Sequence, residues 1–179
     1  MEEDLMSRVR AGDRAAFEEI YRRHAERVYA YLWRMVEEHA LVADLRQETF
    51  FRLWLARERW RDGGSVAGYL IRTARNLALN AQRQQRLHRR LDAAQRDGPT
   101  PSAPSAETVL AKRELTRRVD AAIASLPERA REVFSLKRDA GLSYREISEL
   151  LGISSKTVEV HMTRALKLLR VALADVRNG

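Results

Sequence analysis

Few residues of this 179-residue chain are of a type that makes or breaks bonds, and their spacing argues against it. There is no Cys, which excludes thiol nucleophiles, zinc fingers and a disulfide scaffold. The four His, at 24, 39, 88 and 161, share no ligand or triad spacing, so neither a metal nor a cofactor is expected. Asp44 and Glu48 stand one helical turn apart, but no third carboxylate follows at a spacing a nuclease or recombinase would use. No catalytic residue is assigned, and the chain is read as a non-enzyme.

What the residue types suit is a polyanion. Residues 63–91 contain no acid, although the chain has 25. They carry six Arg (72, 75, 83, 86, 89 and 90), His88 and the amides Asn76, Asn80, Gln82, Gln84 and Gln85. Solvated helix faces mix both signs; guanidinium forks fit phosphates, and amides fit base edges. A second cluster lies near the C-terminus. At 100° per residue Lys156, Thr157, Val160, Thr163, Arg164 and Lys167 share an outward face, with His161 at its boundary. Val160 there suits a thymine methyl, and Glu159 on the flank is expected to pair with Arg164. The whole chain agrees: 33 basic against 25 acidic residues give +8, and 29 of the 33 are Arg.

Positioning these groups is work for helices. Leu5, Val9, Ala16, Phe17, Ile20, Tyr21 and Val28 recur at three- and four-residue steps, continuing through Leu32, Trp33 and Val36. Phe17 and Trp33 are read as core. Gly12 and Asp13 interrupt the run and cap a helix from Arg14. Residues 41–59 place Val42, Leu45, Thr49 and Leu53 on one stripe and Asp44, Gln47, Glu48 and Phe51 on another. A loop over 60–68 precedes a long helix over 65–91.

Three of the four Pro fall within 98–106, a stretch without charge or large apolar side chains, which reads as an extended linker. The chain thus divides into 1–97, 98–106 and 107–179. The first part has 19 Arg against 15 acids and the last 14 basic residues against 10, so each is net +4. In the last part a helix over 109–124 turns Leu110, Leu115, Val119 and Ile123 inward. Pro127 opens a helix over 128–139 that buries Ala130, Val133, Phe134 and Leu136. Ser143 and Glu146 form a capping box for 144–151, which packs Ile147, Leu150 and Leu151 inward. Gly152 to Ser154 make a tight turn, and Ser154 caps a helix over 155–173 with Val158, Met162, Ala165 and Leu169 inward. Two helices joined by a short Gly-containing turn are the helix-turn-helix signature, whose second helix enters the DNA major groove.

These motifs in this order resemble the extracytoplasmic-function (ECF) group of bacterial RNA polymerase sigma factors, of the sigma-70 superfamily. GDRAAFEEIYRRHAERVY (12–29), VADLRQETFFRLW (42–54) and AGYLIRTARNLALNAQRQQR (67–86) resemble region 2. LPERAREVFSLKRDAGLSYREISELLGISSKTVEVHMTRAL (126–166) resembles region 4. The resemblance implies an all-α chain of two small helical domains joined by a Pro-rich flexible linker. It implies an alternative sigma factor that binds core RNA polymerase, recognises promoter −10 and −35 elements and helps open the DNA. Asp44, Gln47, Glu48 and Phe51 would meet the polymerase clamp coiled coil, and region 4 would hold the flap tip. Trp60, Arg72, Arg75, Asn76, Asn80 and Arg83 would meet the −10 duplex and its melted non-template strand, with a flipped-out base in the loop around Trp60. Arg145, Ser155, Lys156, Thr157, Val160, His161, Arg164 and Lys167 would meet the −35 element.

Such factors are usually held by an anti-sigma protein, so a partner of that kind is implied. The location implied is cytoplasmic and nucleoid-associated, with recruitment to the inner membrane face through that partner. No run of the chain is apolar enough to insert in a membrane, and the acidic opening MEEDLMSRVR does not read as a signal peptide. Asn80, Tyr69, Val160 and His161 depart from common family residues and leave the promoter sequence open. The alternative is a helix-turn-helix regulator of the response-regulator output type, which shares the pattern of 141–161. It would need an α/β receiver upstream, where residues 1–97 show only helical periodicity.

Overall fold

In the computed structural model, which describes residues 2–36, 38–61, 63–93 and 110–174, every regular element is a helix. The linker expected over 98–106 lies outside the described residues, as do the side chains of Arg89, Arg90, Leu110 and Leu115. The first part contains α1 (Glu2–Arg10), α2 (Arg14–Met35), α3 (His39–Ala56), a 3-10 turn (Arg57–Arg59) and α4 (Val66–Ala93). The second contains α5 (Leu110–Ala124), α6 (Glu128–Arg138), α7 (Tyr144–Leu151) and α8 (Ser155–Ala172).

Asp13 makes the first corner. Its Oδ1 accepts from the backbone N–H of Ala15 (2.9 Å) and Ala16 (3.1 Å), satisfying two orphan donors at the start of α2. Those amides, with the Arg8 side chain, hold its carboxyl below the usual aspartate range. Gly12 precedes it at φ 88°, a left-handed conformation that suits glycine. Helices α2, α3 and α4 then pack on one another, with α1 laid across α2 and the 3-10 turn. Phe17 meets the Trp54 ring edge-on at 5.1 Å, and Tyr21 meets Phe50 at 4.6 Å. The expected stripe of α3, Val42, Leu45, Thr49 and Leu53, is buried, and the Thr49 hydroxyl donates to the Leu45 carbonyl at 2.7 Å.

Two details differ from the sequence reading. Trp33 is 43% exposed rather than core, because Leu32 takes the inward position and Trp33 leans on Tyr29 one turn away, ring centroids 5.6 Å apart. Helix α4 begins at Val66, with Ser65 as its cap: the Ser65 hydroxyl accepts from the Gly68 N–H at 3.0 Å.

In the second part α6 and α7 pack on α8, and α5 lies against its far end. Val133, Leu136, Ile147 and Val158 are fully buried, Phe134 only half so. The apolar core is continuous across the chain, joining these residues to Tyr31, Leu70 and Ile71 of α2 and α4. A smaller cluster of Ala122, Ile123, Leu126, Ala130, Ala165 and Leu169 ties α5 to α6 and α8. Among the described residues, no helix is long and apolar enough to cross a membrane.

Candidate polymerase and nucleic-acid interfaces

Helix α3 buries one stripe and so presents the opposite one. Asp44, Gln47 and Phe51 are exposed and Glu48 is half-buried, paired with Arg52 at 2.7 Å. Steps of three and four keep these residues within an arc of about 100° on the helix. Leu55, 59% exposed, continues the stripe beyond Phe51. The sequence reading missed it, although its i+4 spacing from Phe51 was the available signal. Acidic, amide and apolar groups in one row suit a basic partner surface with an apolar centre.

The loop between the 3-10 turn and α4 is held from below by α1. Glu3 Oε1 accepts from the Gly63 N–H at 3.0 Å, and Arg10 Nη1 reaches the Trp60 carbonyl at 3.5 Å. Trp60 is half-buried, its indole edge-on to Tyr69 at 5.6 Å, so one side belongs to the core. From this loop α4 projects Arg72, Asn76, Asn80 and Arg83 as exposed side chains. Asn80 stands at the rim of a groove floored by Leu41, Leu45, Leu77 and Ala81. Two other amides of this stretch serve the fold instead. Gln82 donates to the Met35 carbonyl at the end of α2, and Gln85 to Glu38 at 3.1 Å. Arg75 is also engaged: its Nε and Nη2 reach Glu132 Oε1 of α6 at 3.0 and 2.6 Å.

The turn from α7 to α8 has the expected anatomy. Ser143 and Glu146 form the capping box, Gly152 ends α7 in the left-handed region at φ 65°, and the Ser154 hydroxyl accepts from the Thr157 N–H at 3.0 Å. Val158, Met162, Ala165 and Leu169 face inward and lock the roll of α8. Ser155, Lys156, Val160, Arg164 and Lys167 are thereby turned outward, with Thr157 and His161 half-exposed. Val160 is 56% exposed, an uncovered apolar group among cations. Arg145 on α7 is exposed and pairs with Glu149 at 3.0 Å. Glu159 pairs with Lys156 at 3.1 Å, not with Arg164 as expected. Arg164 lies five residues on and about 140° away, whereas Lys156 is three residues back on the same side.

Polar links among the described residues join the two parts, and sequence spacing carried no signal for them. Besides Arg75 with Glu132, Arg34 lies 3.1 Å from Asp120 and 2.8 Å from Asp139, and the Ser65 hydroxyl donates to Glu146. Burial raises the Asp139 carboxyl above the ordinary aspartate range, against the pull of Arg34 and Arg138. Burial also lifts Glu146, but hydrogen bonds from the Ser65 hydroxyl and the Ser143 amide and hydroxyl outweigh it and leave the group below its ordinary range. The Tyr31 phenol is driven well up by burial beside the Arg75–Glu132 pair. Among the described residues, no group of His, Asp or Glu is placed to hold a metal ion.

Comparison with known proteins assigns the two parts. Residues 20–88 match the Sigma-70 region 2 family and residues 116–169 the Sigma-70 region 4 family. The chain is 34% identical to RNA polymerase sigma factor CarQ of Myxococcus xanthus, over 96% of this chain and 97% of that protein. It is 30% identical to the ECF RNA polymerase sigma-E factor of Salmonella typhimurium, over 90% of this chain and 88% of that protein. The chain belongs to the ECF sigma factors. Its function is that of an alternative sigma factor directing transcription initiation, with core RNA polymerase and promoter DNA as partners. A region 2 match upstream of the helix-turn-helix removes the response-regulator reading, which required an α/β receiver there. The fold of this sigma factor is that of CnrH in its complex with the cytosolic domain of CnrY, with TM-score 0.72, 23% identity and 97% of each chain covered. It is also that of RpoE in complex with the anti-sigma factor NepR from Bartonella quintana, with TM-score 0.65, 19% identity, 88% of this chain and 96% of that one.

Proposed function

We propose that the sigma factor divides its work between residues 1–97 and 107–179, joined by 98–106. The exposed row Asp44, Gln47, Glu48 and Phe51 on α3 docks on the clamp coiled coil of core RNA polymerase, and the C-terminal part holds the flap tip. Carboxylates in such a row orient the complex more than they strengthen it. Arg72, Arg75, Asn76, Asn80 and Arg83 follow the −10 duplex and its melted non-template strand. The free side of Trp60 offers a stacking surface to one unpaired base, a contact worth about 1–3 kcal/mol. Lys156, Thr157, Val160, His161, Arg164 and Lys167 enter the −35 major groove, with Arg145 and Ser155 on the backbone.

The polymerase supplies the catalytic metal and makes the phosphodiester bonds; this chain positions and melts. The observation that carries the reading is the outward row on α3 in the same chain as an outward cationic face on α8. A partner of the anti-sigma kind is supported by the fold shared with two proteins solved with their partners. Cytoplasmic residence, with recruitment to the inner membrane face by that partner, follows from the same reading.

The test is binding of the purified chain to core RNA polymerase, then promoter-specific run-off transcription with and without it. Tight association and new start sites are expected, and Asp44→Arg is expected to weaken assembly at least tenfold, about 1.4 kcal/mol. Binding to duplex DNA without binding to core would overturn the assignment of α3.

A further inference from the structure

Helix α1 is short but firmly held. Leu5, Met6 and Val9 are buried on its inner face. Glu2 Oε1 lies 2.7 Å from Nε2 of the buried His24 on α2, and Arg8 pairs with Asp13 at 2.8 Å across the first corner. A helix fixed in this way can hold whatever else it touches, and it touches the turn that carries Trp60. Glu3 Oε1 accepts from the Gly63 N–H at 3.0 Å, and Arg10 Nη1 reaches the Trp60 carbonyl at 3.5 Å. An acid in the first turn of a helix ordinarily complements the helix dipole, a setting that Glu2, Glu3 and Asp4 share. Glu3 does something more specific, because its partner is a backbone N–H 60 positions away. That turn is closely constrained. The Gly64 N–H donates to the Arg61 carbonyl at 3.3 Å, and a Cβ at Gly64 would stand 3.1 Å from the Trp60 ring. The backbone therefore runs directly against the indole, which also meets the Tyr69 ring edge-on at 5.6 Å. A shift of Gly63 would move the surface on which the indole rests.

We propose that Glu3 is a positioning residue for strand capture: through Gly63 and Gly64 it sets the attitude of the Trp60 indole, and with it the fraction of molecules whose stacking face is ready for an unpaired base. The inference rests on the reading of Trp60 as a base contact. A turn with two successive glycines has many conformations to lose on ordering. A hydrogen bond from a fixed helix removes part of that cost before the strand arrives. Apparent affinity scales with the competent fraction, so the contribution of Glu3 is bounded by the worth of the one hydrogen bond it makes. Arg10, on the carbonyl of Trp60 itself, acts in the same sense. The effect belongs to the single strand. Docking through the outer row of α3 and duplex binding through α8 use neither Glu3 nor Trp60.

The experiment uses the full chain assembled with core RNA polymerase. The probe is a fluorescein-labelled non-template single strand spanning the −10 element of a promoter mapped by run-off transcription. Trp60→Ala is expected to weaken strand binding about fivefold or more, the low end for a base–aromatic stack. Glu3→Ala is expected to weaken it about three- to tenfold, the usual range for one hydrogen bond, and by no more than Trp60→Ala does. Glu3→Gln, whose amide oxygen accepts from the same N–H, is expected to stay within about twofold of the unaltered protein. The same is expected of Asp4→Ala, which removes a charge from the same exposed turn of α1. In the Trp60→Ala background, Glu3→Ala is expected to add nothing. An equal loss in that background, a loss reproduced by Asp4→Ala, or a failure of Glu3→Gln to restore binding overturns the proposal. So does a parallel loss of −35 duplex binding, which would mark a general loosening of α1. If Trp60→Ala weakens strand binding and Glu3→Ala does not, the proposal falls and the reading of Trp60 stands. If Trp60→Ala changes nothing, that reading falls and the proposal with it.

Discussion

At the scale of single residues, Asp139 shows how burial and pairing compete. It caps α6 between Arg34 and Arg138, yet desolvation outweighs both cations and its carboxyl titrates above its ordinary value of 3.8. The sign of the linkage follows. A group whose folded-state value is raised contributes stability that is fully present below the unfolded value and lost as pH rises through the folded one. The stability of the sigma factor relative to Asp139→Asn is therefore expected to fall as pH rises from about 3 through the raised value. Urea midpoints of both proteins across that range check it, and a difference that grows with pH would show that Arg34 dominates instead. Asp139 also illustrates what single residues hide. Its Asp identity was plain in the sequence, but its place beside Arg34, more than 100 positions earlier, depends on how two groups of helices meet.

At the scale of elements, the helix-turn-helix separates the residues that aim from those that touch. Ser154 satisfies an orphan N–H of α8, and Gly152 holds a left-handed turn that would strain any residue with a Cβ, although open space surrounds it. Ser154→Ala and Gly152→Ala are each expected to lower stability by about 1 kcal/mol. Lys167→Ala touches no such device. It is expected to leave the denaturation midpoint within about 0.5 kcal/mol and to reduce the salt slope of duplex binding by about one ion. Denaturation and salt titration of the three variants check both halves of the argument. This element was the most legible part of the sequence, because caps, turn glycine and a four-residue apolar stripe are local signals that agree. Helix α4 was legible only in part. Its acid-free composition marked a surface for a polyanion, but Gln82 and Gln85 belong to the fold and Arg75 to a carboxylate. Those distinctions depend on contacts 47 or more positions away, which no local pattern carries.

At the scale of the molecule, a Pro-rich stretch between two basic parts invites a picture of two independent bodies, and the continuous core argues for coupling. Val133, Leu136, Leu142 and Ile147 share one buried cluster with Tyr31, Leu70 and Ile71, so the second part cannot unfold without stripping cover from the first. The distribution of Trp makes this measurable. Trp33, Trp54 and Trp60 all lie in the first part, so fluorescence reports that part alone, while helical circular dichroism reports both. Leu169 belongs to the separate cluster of α5, α6 and α8, and its truncation to Ala should cost about 2–5 kcal/mol. In the docked protein, Leu169→Ala is expected to lower the fluorescence midpoint and the helicity midpoint together, although no Trp is near it. With Glu132→Gln added, the docking contact is weakened, and the fluorescence midpoint should recover toward that of the unaltered first part while helicity still melts early. A fluorescence midpoint indifferent to Leu169→Ala in both backgrounds would mean that the two parts unfold separately.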